Sequence, residues 1–583
     1  MALRGRNGRT NYNEVLRMAF LHSKTEAVER LTGLSLKGTM LTTTQYHDRR
    51  HVLPFVLEKD GKGYFIVRQM DNGNIEGAGF NALPQVRFGS YFFPSGTVVV
   101  HGTAAKAVLS VTKDEPVTVD DAMPVSVYNE LKAATTVTVQ SEGAKPVEVF
   151  MLTPEQVLSK FNHHRDDVVR VVNELTAGHP QYERLNKLYA NREGDVFGIL
   201  EEKAKAKGLG AMLASWLSNF QELTGLRATL TEEYGYAALY LVEKRQTWVI
   251  VPAGDAKNYT DTYKSYENFA EAVKDLAGDA AVGIEEDTLG ASRYVDMLGK
   301  GVELKDAGIL FKDWRDEKIK FDIPYFVLGA MATRYAMEGA ATFADLAIRA
   351  NVSVTEKQVD DVFRARLDEF AKRYKLQVEL KFYFVNTHAG SRTMYPSRPT
   401  DYVIHKGINS LKLDSGIFVF DDGLYHASSD IARTVTTTPE ADEIFDLMET
   451  VLLEETVPGI KPGMTGEEIH RMGVDQIGAH GEAFLRTGYM PNTFSWRKDY
   501  PRDIGHSMER QETCSYHFVP GTKTKIKPGM VGCIEFHCAY NGHGMSAEDT
   551  FVMDDEGAIV ISRGPEEFGP EGKVTLRRRM NRF

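Results

Sequence analysis

The chain has few cysteines and no long apolar run, and each absence excludes a class of protein. Cys514, Cys533 and Cys538 are the only cysteines among 583 residues, and they form no CxxC pair. A disulfide framework and a zinc knuckle are therefore not expected. No stretch reaches the ~18 apolar residues of a membrane span. The first thirty residues carry scattered charges where a signal peptide has an apolar core, so we expect no membrane partner and a reducing, cytoplasmic compartment.

Positive charge is also in the minority. Lys and Arg number 69 against 81 Asp and Glu, for a net charge of −12, which argues against nucleic acid as a partner. Basic residues gather only near the two ends, at Arg4, Arg6, Arg9, Arg577, Arg578, Arg579 and Arg582. These clusters are either solvated, frayed termini or tails that bind an anion or a partner.

A short internal repeat indicates how the first half of the chain is organised. Residues 18–34 read MAFLHSKTEAVERLTGL and residues 210–226 read GAMLASWLSNFQELTGL. Both patterns predict a strand, a turn and a helix that ends in LTGL. Each is followed by a strand–turn–strand pattern, at 56–67 and 241–251. We interpret these features as a duplicated α/β unit.

A chain of this length is expected to form about two to four domains. Residues 314–341 have apolar side chains at helical spacing and predict a connecting helix. We therefore place the domains at 1–180, 181–311 and 312–583, with the basic tail in the third.

Two predicted hairpins in the third region each bring two acids together. In residues 411–433, a three-residue loop over Asp421-Asp422-Gly423 sets Asp414 opposite Asp430, roughly 5 Å apart at Cβ. In residues 533–551, Asn541-Gly542 predicts a two-residue turn that sets Glu535 opposite Glu548.

Like charges that face each other across a sheet are destabilising unless a cation lies between them. Carboxylates with one imidazole, for which His506 is the candidate, suit two divalent ions such as Mn, Co, Zn or Fe. The alternative is that the acids line solvated strand edges and that His506 is an ordinary surface histidine.

The words around these residues resemble the ligand-bearing segments of the creatinase, prolidase and Xaa-Pro aminopeptidase superfamily. They are LDSG, SDIART, IGH, IKPGMVGCIEF and AEDTFVM. The word IKPGM occurs twice, at 460–464 and 526–530, which suits a domain built from two related halves.

The resemblance implies an α+β fold in which a C-terminal pita-bread domain follows two creatinase-N-like α/β domains, as in three-domain aminopeptidases P. It also implies a homodimer and two divalent metal ions, with Mn first. The implied metal ligands are Asp414, Asp430, His506, Glu535 and Glu548.

The sequence departs from the family pattern outside these ligands. Arg502, Thr513 and the stretch 391–400 stand where active members carry histidines, and Ser546 stands where an arginine is expected. Phe536-His537 replaces the usual Pro-Gly after Glu535. His537 shares a strand face with Glu535, so it is either a proton shuttle or a packed residue.

Two functions remain open at this point. The first is a dinuclear metal-dependent hydrolase, aminopeptidase P-like, that acts on a peptide or small amide substrate with Glu535 and His537 as catalytic residues. The second is a catalytically inactive, peptidase-like structural or binding protein that retains metal. The intact ligand set favours the first, and the altered outer residues favour the second.

Overall fold

The computed structural model of the chain describes residues 19–33, 54–68, 85–88, 91–94, 96–100, 102–143, 145–191, 195–394, 399–405, 410–500, 503–511, 516–540 and 543–569. The basic clusters near the two ends lie outside these ranges. Among the described helices, none is long and apolar enough to cross a lipid bilayer.

The first part of the described chain forms a mixed sheet. Its strands are β1 (Ala19–His22), β2 (Phe55–Lys59), β3 (Lys62–Arg68), β4 (Gln85–Phe88), β5 (Tyr91–Pro94), β6 (Thr97–Val100), β7 (Val117–Val119) and β8 (Val137–Val139). Its helices are α1 (Thr25–Thr32), α2 (Ala104–Thr112) and α3 (Val125–Lys132). The strand order is β6-β3-β2-β1-β7-β8, and β4 and β5 form a separate ladder.

A second mixed sheet follows. Its strands are β9 (Val147–Leu152), β10 (Ala211–Ala214), β11 (Ala237–Leu241), β12 (Gln246–Pro252), β13 (Lys264–Tyr266), β14 (Val282–Ile284) and β15 (Leu304–Asp306). Helices α4 (Pro154–Leu158), α5 (Arg165–Thr176), α6 (Tyr182–Tyr189), α7 (Val196–Ala206), α8 (Leu217–Thr224), α9 (Leu230–Tyr234), α10 (Phe269–Ala277) and α11 (Ala291–Gly299) lie among them. The strand order is β13-β9-β12-β11-β10-β14-β15.

The two LTGL words occupy equivalent elements. Each ends a helix whose following glycine is left-handed, Gly33 at φ 69° and Gly225 at φ 60°. The strand before each helix pairs antiparallel with one strand of a hairpin and parallel with another strand, β1 with β2 and β7, and β10 with β11 and β14. This equivalence is what the predicted duplication requires.

The second sheet also includes a strand from earlier in the chain. β9 pairs with β12 and with β13, although it precedes residue 180, where the sequence analysis places the first domain boundary. The domain bounds therefore stay a prediction, and strand membership points to an earlier start for the second unit.

The last part of the chain contains the longest strands. These are β16 (Val354–Thr355), β17 (Glu379–Ala389), β18 (Val403–Ile404), β19 (Ser410–Asp421), β20 (Leu424–Ser428), β21 (Ile431–Thr436), β22 (Gly505–Ser507), β23 (Val531–Tyr540), β24 (His543–Met553) and β25 (Ala558–Val560). Its helices are α12 (Gly308–Lys318), α13 (Ile323–Arg349), α14 (Glu356–Tyr374), α15 (Pro439–Thr450), α16 (Val457–Gly459), α17 (Gly466–Ala479), α18 (Gly481–Thr487) and α19 (Trp496–Asp499).

The large sheet of this part has one face covered by helices. Its order is β17-β19-β21-β24-β23-β22, with β20 added on β19 and β25 on β24. Leu411 and Leu413 pack against α13 and α14, and Ile534 and Phe536 pack against α15 and α17. Because strand side chains alternate between faces, Asp414 and Glu535 project to the other face.

The two IKPGM words lie side by side. Gly463 N donates to Ile526 O at 2.8 Å and Ile526 N donates to Met464 O at 2.8 Å. Gly463 and Gly529 have nearly the same positive φ, 88° and 86°. These contacts, together with the long antiparallel strands and the helical layer, confirm the predicted α+β class with a C-terminal pita-bread domain.

Helix α8 of the second sheet is fastened to this domain through buried polar groups. Gln221 bonds both backbone groups of Tyr425, donating to its O at 3.1 Å and accepting from its N at 3.0 Å. Arg510 Nη1 donates to Glu222 Oε2 at 2.6 Å. Nearby, Arg315 Nη2 donates to Glu509 Oε1 at 3.1 Å, with both side chains buried. The segment that follows β22 is thus held by ion pairs.

We expect Glu509→Gln to lower the free energy of unfolding by about 3 kcal/mol or more, because it removes the buried carboxylate that bonds the Arg315 guanidinium. The exposed pair of Arg486 with Glu443 supplies the control, since Glu443→Gln is expected to cost less than about 1 kcal/mol. Urea titration of both variants measures the difference. Equal midpoints for the two variants would contradict the assigned importance of the buried pair.

Candidate metal centre

The first predicted hairpin has a shorter turn than expected. Asp421 pairs with Leu424, so only Asp422 and Gly423 connect β19 to β20. Both have positive φ, 50° and 78°, as in a two-residue type I′ turn, for which Asp-Gly is a favoured sequence. The predicted three-residue loop is therefore wrong.

The shorter turn changes the partner of Asp414. The register shifts between Val419 and Phe420, and Asp414 pairs with Ala432 of β21. The predicted direct pairing of Asp414 with Asp430 is therefore wrong. The two carboxylates still lie within 4.8 Å of each other, because residues 430 and 432 project to the same side of an extended chain.

The second hairpin has the predicted register. The pairs are Glu535 with Glu548, His537 with Ser546 and Tyr540 with His543. The turn residues Asn541-Gly542 lie outside the described residues. The opposed acidic pair at Glu535 and Glu548 is confirmed.

Ligand atoms converge in two groups on this face of the sheet. Within each group the atoms lie within 4.8 Å of one another, in Asp414, Asp430 and Glu548, and in His506, Cys533 and Glu548. All are buried apart from the partly exposed Asp414, so the alternative of solvated strand edges does not hold. Glu535 is in neither group, and its Oε2 accepts a hydrogen bond from His537 Nε2.

His506 presents one ring nitrogen to these groups. Its Nδ1 lies 3.0 Å from Ser507 O, which directs Nε2 toward Cys533 Sγ at 3.1 Å, Asp430 Oδ2 at 3.8 Å and Glu548 Oε1 at 3.9 Å. Burial lowers the pKa of the imidazole. The neutral ring that results is the form that binds a metal ion.

Glu548 is the acid that most requires a cation. Burial, together with the charges of Glu535 and Asp414, raises its pKa well above the usual carboxyl value. Among the described residues, no group donates a hydrogen bond to its buried Oε1, and a buried oxygen without a donor is costly. An imidazole, carboxylates and an unsatisfied carboxylate oxygen together fit a divalent metal ion.

Comparison with known proteins agrees with this chemistry. Residues 331–555 match the model of metallopeptidase family M24. This part of the chain is similar to that family. The match is consistent with the predicted resemblance to the creatinase and prolidase superfamily, and enzymes of family M24 use divalent metals.

Three proteins illustrate the similarity. The chain is 28% identical over 243 residues to an uncharacterized peptidase, YqhT, of Bacillus subtilis, an alignment that covers 40% of this chain and 61% of that relative. A prolidase from Pyrococcus horikoshii aligns with 64% of this chain and 99% of its own, at TM-score 0.49 and 18% identity. An Xaa-Pro dipeptidase from Bacillus anthracis aligns with 64% of this chain and 98% of its own, at TM-score 0.49 and 20% identity.

The structure adds residues to the site that sequence reasoning missed. Lys412 lies two positions before Asp414 on the same face, and its Nζ is 3.5 Å from Asp414 Oδ2. Asn386 Nδ2 is 3.5 Å from the same oxygen, and the buried His388 pairs directly with Lys412. Cys533 is opposite His506 in the β22–β23 ladder. The alternation of side chains along β19 could have indicated that Lys412 lies beside Asp414. No local pattern indicated Asn386, His388 or Cys533.

The structure describes some of the positions at which the M24 region departs from its family pattern. Arg502 and Thr513 lie outside the described residues. Ser546 is buried opposite His537, and Phe536 packs in the core on the other face. His517 comes within 5.7 Å of His506, measured between ring centroids, which sequence spacing did not indicate.

We expect Mn²⁺ to raise the melting temperature of the full chain, because an ion that binds the native state alone stabilises it by about 2.7 kcal/mol at a hundredfold excess over Kd. Asp430→Asn is expected to remove most of that gain, since it lowers the negative charge of the acidic group. Thermal scans with and without metal test this. A wild type that is indifferent to Mn²⁺ and Co²⁺ would contradict the assignment.

A pH titration tests Glu548 directly. Its raised folded-state pKa means that the unfolded chain ionises first, so the metal-free protein loses stability as pH rises from the usual carboxyl value toward the raised one. Glu548→Gln removes this contribution and is expected to flatten the decline. The difference in melting temperature between wild type and variant should therefore grow with pH across that window, and a constant difference would exclude the predicted pKa.

Proposed function

We propose that the chain is a divalent-metal-dependent hydrolase of peptide or related amide bonds, with aminopeptidase P-like activity and two metal ions, Mn²⁺ being the first to try. One observation carries the proposal: three carboxylates and an imidazole converge on one sheet face around a Glu548 oxygen to which no described residue donates a hydrogen bond. The similarity of residues 331–555 to family M24 agrees with it.

The proposed ligands are Asp414, Asp430, His506, Glu535 and Glu548. Divalent ions held there supply Lewis-acid polarisation of the scissile carbonyl and lower the pKa of water. Glu548 is the member common to both donor groups, so it fixes their separation.

Glu535 is the proposed proton carrier. It lies opposite Glu548 in the ladder, and its Oε2 bonds His537 Nε2. Glu535 takes a proton from the attacking water and delivers it to the leaving nitrogen, and His537 holds the carboxylate in position and exchanges protons with it. This assigns His537 the role of shuttle instead of packed residue.

The substrate side of the site is proposed to differ from that of an ordinary aminopeptidase P. Asn386, Lys412 and His388 line the sheet beside Asp414, and they offer hydrogen-bond donors and positive charge to the substrate. A short peptide or small amide with an anionic or carbonyl group at that side suits them. A homodimer remains part of the proposal.

A second candidate function is a catalytically inactive binding protein. Lys412 beside Asp414 favours it, because it gives a proposed ligand a cationic partner from within the chain.

Turnover of Xaa-Pro dipeptides and simple amides with added Mn²⁺ or Co²⁺, measured beside metal content by elemental analysis, separates the two candidates. We expect Glu535→Gln to lower kcat about 10²- to 10⁴-fold, as loss of a proton carrier does. The control Glu440→Gln changes an exposed acid at the start of α15 and should retain activity. Metal without turnover in the wild type across the screen supports the binding protein.

A further inference from the structure

The two donor groups share Glu548 but differ in their other members. One consists of His506, Cys533 and Glu548, and the other of Asp414, Asp430 and Glu548. The first offers nitrogen, sulfur and oxygen donors, whereas the second offers only carboxylates. A divalent ion at either position is therefore bound by a different set of charges.

A cation of the chain itself lies next to the second group. The Lys412 side chain is 3% exposed, and its Nζ is 3.5 Å from Asp414 Oδ2. Asn386 Nδ2 approaches the same oxygen at 3.5 Å. Asp414 belongs to the carboxylate group alone, so Lys412 and Asn386 act on one of the two positions.

The backbone fixes Lys412 in this place. It is the central member of three paired strands, opposite His388 of β17 and opposite Thr434 of β21. Leu411 and Leu413 on either side are buried in the helical layer. Rotating Lys412 away from the site would require it to enter that apolar layer, so the ammonium stays on the face that carries Asp414.

We propose that Lys412 makes the two metal positions unequal, so that one divalent ion binds tightly at the His506 group and a second binds weakly at the Asp414 group. The second ion has to move the Lys412 ammonium away from Asp414, and ammonium and metal ion repel each other in a buried site. The inference rests on the proposed function, because it concerns the same ligands.

Metal titration of the full-length chain tests the proposal. The metal-free wild type and Lys412→Met are titrated with Mn²⁺ by calorimetry, and retained ions are counted by elemental analysis after dialysis. We expect the wild type to retain one ion, with a second about 10- to 100-fold weaker, the range found when groups around metal ligands are changed. Lys412→Met should retain two.

Two further variants make the result specific. Lys381→Met removes an exposed lysine of β17 that pairs with Glu379, and it should bind Mn²⁺ as the wild type does. Lys412→Gln removes the charge but keeps a hydrogen-bond donor, and it should also gain the second ion. It serves in place of Lys412→Met if thermal scans show that the methionine variant does not fold.

Each outcome decides between the possibilities. Two equally tight ions in the wild type, or the same binding in wild type and both Lys412 variants, overturns the inference. A wild type that binds one ion and hydrolyses no substrate, with a Lys412 variant that binds two, supports the inference and contradicts the proposed hydrolase. Hydrolysis by a wild type with two equal ions supports the hydrolase and removes the role of Lys412.

Discussion

Mutual repulsion among buried carboxylates is the constraint that shapes this site. Asp414, Asp430, Glu535 and Glu548 share one face of a sheet, and each raises the cost of ionising its neighbours. Partners within the chain lie beside two of these acids, Lys412 beside Asp414 and His537 beside Glu535, and burial with like charge raises the pKa of Glu548. These partners keep the metal-free sheet from carrying four uncompensated charges, and the same partners compete with a metal ion.

The parts of the site that sequence reasoning predicted correctly depend on local signals. Asn541-Gly542 specifies a two-residue connection between uninterrupted strands, and the count outward to Glu535 and Glu548 is preserved. The predicted pairing of the first hairpin was wrong for two reasons. Asp422-Gly423 alone makes the turn, and the register shifts between Val419 and Phe420. A count through a shift of that kind places every later residue wrongly. Because side chains alternate between the two sides of an extended chain, Asp430 still lies on the same side as Asp414.

The residues that sequence reasoning missed depend on strand order. His388 meets Lys412, and Cys533 meets His506, because separate segments of the chain become neighbours in one sheet. The spacing of residues within one segment contains no signal for such pairings. The fold class was easier to predict, because the repeated words, the long helical pattern and the two acidic hairpins each indicate a complete helix or hairpin. Domain bounds were harder, because β9 crosses into the next sheet and leaves no mark in composition.

The contacts of Gln221 and Glu222 with the pita-bread domain distinguish the second α/β unit from the first. The corresponding positions of the first unit hold Glu29 and Arg30, which reproduce neither the amide that bonds the Tyr425 backbone nor the acid that meets Arg510. Through these side chains the second unit contacts the domain that carries the candidate metal site, whereas the first unit has different side chains at the corresponding positions. The two units are therefore not interchangeable: a graft of the first unit into the place of the second would remove the amide that bonds the Tyr425 backbone and the carboxylate that pairs with Arg510.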